Sequence, residues 1–153
     1  MVKTHIYSPL DGEVIQIENV SDPVFSQKML GDGIAIRPAL GHHSVLSPID
    51  GTIQSLHSSK HAYGILSNTG VEVLVHIGVD TVNLKGEGFS SNLVEGSIVK
   101  KGQELAKVDF ALISQKAPSI DVIIVLTSLL GTEKLDKTTS LKIKSLDELI
   151  SIE

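Results

Sequence analysis

The chain contains no cysteine and no tryptophan. That excludes disulfides, thiolate nucleophiles and cysteine metal sites. Aromatics make up only 3% of its residues, so a core must be assembled from Val, Ile and Leu, a composition that favours strands. No apolar run approaches a membrane span, and Met1-Val2-Lys3-Thr4-His5 lacks the apolar segment of a secretory leader, so the chain is expected to be cytoplasmic. Net charge is −5 and no Lys/Arg run occurs, which argues against a nucleic-acid partner. A length of 153 residues suits one domain, 1–153, with a real core.

The most informative stretch is Gly70 to Val82. Val71, Val73, Val75 and Ile77 share one face by the two-residue period, and Glu72, Leu74 and His76 share the other. A preceding alternating run, His61 to Leu66, is joined to it by Ser67-Asn68-Thr69-Gly70. A hairpin centred between Asn68 and Thr69 places Ile65 opposite Glu72, Tyr63 opposite Leu74 and His61 directly opposite His76. Cross-strand partners have Cβ atoms roughly 5 Å apart, so two imidazoles would share one patch. Such a pair is a poor device for stability, because protonating both brings like charges together.

Two Ser-Pro-x-Asp-Gly turns, Ser8 to Gly12 and Ser47 to Gly51, each feed a strand and point to internal duplication. Between them Asp22 is placed to cap a short helix beginning at Pro23. Val24, Phe25 and Met29 on this segment either pack on the core or form a docking patch; the docking reading, with Leu74 added and Phe25 as anchor, predicts little cost in stability when Phe25 is replaced. Gly33 to Arg37, Ile98-Val99, Glu104 to Val108 and Ile120 to Leu126 read as strands, and Asp109 as the cap of a helix over 110–116. Residues 127–153 are Lys-, Thr- and Ser-rich, with a strand near Lys142 and a helical turn over Leu146 to Ile150 expected. Many short strands separated by turns imply an all-β antiparallel sandwich or flattened barrel.

Paired histidines also serve zinc hydrolases, but no His-x-His or His-Glu-x-x-His element supplies a third ligand, and His42 and His43 would point to opposite faces of a strand. No lysine sits at a hairpin tip in the manner of a lipoyl or biotinyl carrier. A non-catalytic binding module that uses the same fold is the remaining rival.

Asp22 to Gly33, Lys60-His61-Ala62, and Gly70 to Val82 followed by Leu84 to Phe89 resemble the glucose-type enzyme IIA of the bacterial phosphoenolpyruvate-dependent sugar phosphotransferase system. The likeness runs from about Tyr7 to Asp109. It implies a phosphoryl carrier in which His76 accepts the phosphoryl group from HPr, supported by His61, and passes it to the IIB domain of a sugar permease. Ser59 stands where the family usually has a threonine near the phosphate, and Asp80 belongs to the histidine signature. His57 and Leu74 stand where the family often has phenylalanine, and the family's last Gly-turn-strand unit is replaced here. Nε2 of His76 is expected to attack, since on a strand it reaches farthest from the sheet. No cofactor is obligatory for this chemistry, and a regulatory zinc bridging His61 and His76 with a partner's carboxylate is left open.

Overall fold

The computed structural model describes residues 3–153. Turns rich in Gly, Pro and Asp cut the apolar alternation into short strands. In the first half these are β1 (Thr4–Tyr7), β2 (Gly12–Gln16), β3 (Asp32–Arg37), β4 (His42–Leu46), β5 (Gly51–Leu56), β6 (Ala62–Ser67) and β7 (Glu72–Val79). They are followed by β8 (Phe89–Ser90), β9 (Ile98–Val99), β10 (Glu104–Asp109), β11 (Ser119–Leu126), β12 (Leu135–Lys137), β13 (Lys142–Ile143) and β14 (Glu148–Ile152). Helix α1 (Pro23–Ser26) is capped by the Asp22 carboxylate, which accepts from the Val24 N–H, and α2 (Phe110–Lys116) by Asp109, which accepts from the Leu112 N–H. Short 3-10 turns occupy Ile17–Asn19 and Thr81–Leu84.

The strands form an antiparallel β-sandwich. One sheet has eight strands in the order β13-β2-β3-β11-β7-β6-β5-β9, and two three-stranded sheets, β1-β14-β12 and β4-β10-β8, complete it. The main core joins Ile34, Val75, Ile77 and Ile124 of the large sheet to Ile6, Val45, Val108 and Ile150 of the small ones. Each such side chain, when fully buried, contributes roughly 1.5–3 kcal/mol. On the opposite face Ala35, Val79, Ile123 and Val125 are covered by Ile17, Val20 and Phe25. The central strands are therefore covered on both faces, which is why β11 reads as a nearly unbroken apolar run.

The duplication is visible bond by bond. The buried Ser8 hydroxyl donates to Leu10 O and the buried Ser47 hydroxyl to Ile49 O, each at 2.7 Å. Tyr7 N–H donates to Pro48 O at 2.9 Å, while Leu46 N–H donates to Pro9 O at 2.8 Å, so the two turns clasp each other reciprocally. Asp50 accepts from Lys101 N–H at 2.6 Å, and Asp11 accepts from Ser145 N–H at 2.7 Å. Lys144 to Asp147 is thus the counterpart of Lys100 to Gln103, with Leu146 at φ 68° where Gly102 has φ 88°. The closing unit was hidden in the sequence because a leucine takes the left-handed position normally left to glycine. The helical turn expected over Leu146 to Ile150 is accordingly corrected: Glu148 to Ile152 pairs with β1 and β12.

An ion pair between the exposed Arg37 and the buried Asp121 ties β3 to β11 beside the sheet centre. Arg37 donates through Nε to Asp121 Oδ1 at 2.8 Å and through its terminal nitrogen to Oδ2 at 3.1 Å, and Asp121 is only 1% exposed. Removing the cation leaves a carboxylate buried without its partner. Arg37→Met is expected to cost about 3 kcal/mol in chemical denaturation, and adding Asp121→Leu to it should recover most of that loss. Equal losses in the single and double variants would show that the pair does not carry this stability.

Candidate functional site

The hairpin β6–β7 pairs Ala62 with His76, Tyr63 with Val75, Gly64 with Leu74 and Leu66 with Glu72. The register expected from the sequence is therefore wrong by one residue. The connection is a three-residue loop, with Ser67 N–H donating to Val71 O at 2.9 Å and Gly70 at φ 88°. His61 is not opposite His76; its carbonyl accepts from Ile77 N–H at 2.8 Å. Such a slip normally sends one side chain to the other face. Here β6 begins only at Ala62, and Lys60 at φ 65° turns the chain just before His61. Freed from strand alternation, the His61 ring lies 5.1 Å from that of His76, edge to face.

His76 is fixed by its own strand end. Its Nδ1 lies 2.8 Å from Gly78 O. A carbonyl can only accept, so Nδ1 carries the proton and Nε2 keeps the lone pair. Gly78 has φ 76°, which a side chain would resist, and a Cβ there would meet the Thr81 methyl at 2.4 Å. Thr81 in turn donates its hydroxyl to Ile77 O at 2.6 Å and is fully buried. Opposite this bend β11 shifts register between Ser119 and Val122. These constraints aim the Gly78 carbonyl back at the imidazole.

Three imidazoles line up here. The His57 ring lies 4.5 Å from that of His61, and Phe89 lies 6.5 Å from His61 on another side. His61 is 4% exposed, and its Nδ1 is buried without a hydrogen-bond partner. Its pKa is pushed down to about 4, first by burial and then by the neighbouring rings of His76 and His57. His76 is also held below the ordinary imidazole value, chiefly by burial. The Gly78 bond and the carboxylates of Asp22 and Asp80 pull it the other way. Both rings are therefore neutral near pH 7.

The other expected residues fall unevenly. Asp80 sits next to the bend in a left-handed conformation at φ 57°, exposed, its charge felt by His76. Ser59 donates its backbone N–H to His57 Nδ1 at 3.0 Å and is half-buried. Val24 and Met29 are exposed, at 37% and 67%, and Leu74 is half-buried against the outer core. Phe25 contradicts its assignment as an exposed anchor. It is 4% exposed, belongs to the outer core, and packs its ring 4.9 Å from that of His76. A four-residue helix is too short for periodicity to reveal which side is buried. Asp22 was expected as a helix cap and as part of the family-like segment Asp22 to Gly33, and His57 as a departure from the family; the role of Gly78 as acceptor for His76 was not foreseen.

Among the described residues no group of three or more His, Asp or Glu side chains is placed to hold a metal ion. A zinc on His61 and His76 would need further ligands from a partner.

A family model described as phosphoenolpyruvate-dependent sugar phosphotransferase system, EIIA 1, matches residues 4–130. The chain belongs to this family. Among its relatives, the PTS system glucose-specific EIIA component of Buchnera aphidicola subsp. Acyrthosiphon pisum is 42% identical over 137 residues, covering 90% of this EIIA chain and 84% of the relative. The PTS system glucose-specific EIICBA component of Streptococcus pneumoniae is 43% identical over 142 residues, 92% of this chain but 19% of that longer protein. The solved glucose permease IIA from Mycoplasma capricolum superposes with a TM-score of 0.92 at 35% identity, covering 99% of this chain and 96% of its own. No helix of the EIIA chain among the described residues is long and apolar enough to cross a membrane.

Two outcomes follow from the packing and the protonation states. Phe25→Ser should lower stability by about 3–5 kcal/mol, because it empties a buried ring site beside His76; melting at the wild-type temperature would restore Phe25 to the surface. The depressed His61 pKa means that the unfolded state binds the extra proton first. Its contribution to stability is complete above about pH 6.5 and is lost as pH falls toward about 4, a loss of order 3 kcal/mol. Denaturation curves of His61→Gln across this window should be flatter than those of the wild type. Identical pH dependence in the two proteins would show that His61 is not buried neutral.

Proposed function

We propose that the chain is a phosphoryl carrier that takes its group from phosphorylated HPr on His76 Nε2 and gives it to a cysteine on the IIB domain of a sugar permease. The observation that carries this reading is the Nδ1–H bond from His76 to Gly78 O, which leaves Nε2 as an unprotonated nucleophile beside a second neutral imidazole. Family membership supports the phosphotransfer role, and the names of the relatives make glucose the first sugar to test. The fused EIICBA relative supports a IIB partner, and we read the exchange as cytoplasmic.

In the first step the P–N bond of the donor phosphohistidine breaks and a P–Nε2 bond forms; in the second, P–Nε2 breaks and P–S forms. The attacking nitrogen has no proton to lose, so no general base is needed. Positive charge grows on the His76 ring as Nε2 is substituted. The Gly78 carbonyl and the carboxylates of Asp22 and Asp80 stabilise that charge. The transferring group is loosely bonded in the transition state, so in-line positioning and N–H donors to its oxygens dominate. His61 supplies such a donor, and rotation of the Ser59 hydroxyl can add another. Val24 and Met29, with the edge of Leu74, offer the apolar surface for both partners, while Phe25 supports the His76 ring from beneath. A small contact of this kind suits rapid exchange.

Incubating the protein with phosphoenolpyruvate, enzyme I and HPr should add one phosphoryl group by intact mass, acid-labile and alkali-stable. His76→Gln should not be labelled. In His61→Gln loading should persist while onward transfer slows by roughly 10²–10³, as for loss of oxyanion donors. Labelling of His76→Gln at the wild-type level would overturn the assignment. Onward transfer at the wild-type rate in His61→Gln would make His61 a bystander.

A further inference from the structure

His57 is a solvent-exposed imidazole that the carrier chemistry described above does not use. It begins a tight turn in which Lys60 N–H donates to His57 O at 2.8 Å and His57 N–H donates to Ala62 O at 3.1 Å. The same turn directs Ser59 N–H to the ring nitrogen Nδ1 at 3.0 Å. An N–H can only donate, so Nδ1 keeps its lone pair and the ring proton is on Nε2. This mirrors His76, where the backbone accepts from Nδ1 and frees Nε2 as the nucleophile. One backbone contact makes a bare Nε2, and the other makes an Nε2–H donor. The His61 ring stands between them, 4.5 Å from His57 and 5.1 Å from His76. The charge of His57 is felt at His76. His61 is buried, so the exposed side of the trio is closed by His57.

We propose that His57 is a third phosphoryl-binding imidazole, whose Nε2–H donates to an oxygen of the phosphoryl group carried on His76 and so holds that group on this protein rather than on its donor. A dianionic phosphoryl group presents three terminal oxygens, and His61 with Ser59 accounts for two of them. The third is the one left for His57, whose Nε2–H is already fixed as a donor by the Ser59 N–H on Nδ1. An aromatic side chain without an N–H at position 57 would pack against His61 equally well but leave that oxygen to water. A hydrogen bond to a charged acceptor shifts such an equilibrium by about tenfold or more.

The proposal rests on His76 being the phosphoryl acceptor, and the test separates the two. Wild type, His57→Phe and His57→Gln are each brought to equilibrium with HPr, enzyme I and limiting phosphoenolpyruvate, and the ratio of phosphorylated chain to phosphorylated HPr is read by mass spectrometry. If the wild type takes no phosphoryl group, the carrier reading itself falls. If it does, His57→Phe should shift the ratio about tenfold toward HPr, while His57→Gln, which keeps an N–H, stays within about threefold of wild type. A ratio unchanged in His57→Phe overturns the proposal. Equal shifts in Phe and Gln also overturn it, since they would reflect packing against His61 and not donation.

Discussion

The hydrogen bond from His76 Nδ1 to the carbonyl of Gly78, two residues away, is the constraint on which the site depends. It decides which ring nitrogen keeps its lone pair, and it exists only because the chain leaves β7 in a conformation that a side chain would oppose. Thr81 seals that bend from below by bonding to Ile77 O and filling the space a Cβ at Gly78 would need. Residues Ile77 to Thr81 therefore act as one backbone device. The sheet holds it in place, because β7 lies at the centre between β6 and β11.

Electrostatics at the site is a balance held near neutrality. Burial drives the protons off His61 and His76, while the Asp22 and Asp80 carboxylates pull His76 back toward the charged form. A fully desolvated imidazole would resist the positive charge that substitution at Nε2 creates, and a fully solvated one would share its lone pair with water. The intermediate arrangement suits the proposed carrier, in which the group is both accepted and released. The scaffold is duplicated, but this balance is struck in one half only. Apart from the bulge between Ile53 and Ser55 in β5, the pairings of β2–β3–β11 match those of β5–β6–β7, and they put Val125 where His76 stands and Asp32 where His61 stands. In that other half Asp32 serves structure, bonded to Lys137 at 2.6 Å.

Much of this was legible in the sequence, for reasons that can be named. The alternation in Glu72 to Val79 reports a real two-faced strand, and the repeated Ser-Pro-x-Asp-Gly turns report the duplication because each demands the same internal hydrogen bonds. The proximity of His61 and His76 was reached through an incorrect register, compensated by the left-handed Lys60, whose conformation no residue pattern announces. Phe25 was misplaced because hydrophobicity alone does not distinguish a ring packed under an imidazole from one offered to a partner. The closing turn went unseen because Leu146 occupies a position whose usual signal is glycine.

The central claim is that the backbone alone sets the His76 tautomer. Long-range 1H–15N correlation of the histidine rings in the uniformly labelled, unphosphorylated protein at pH 7 tests it directly. The account predicts that His76 shows a protonated Nδ1 in slow exchange and an unprotonated Nε2. A proton on Nε2, or rapid averaging between the two nitrogens, would contradict it.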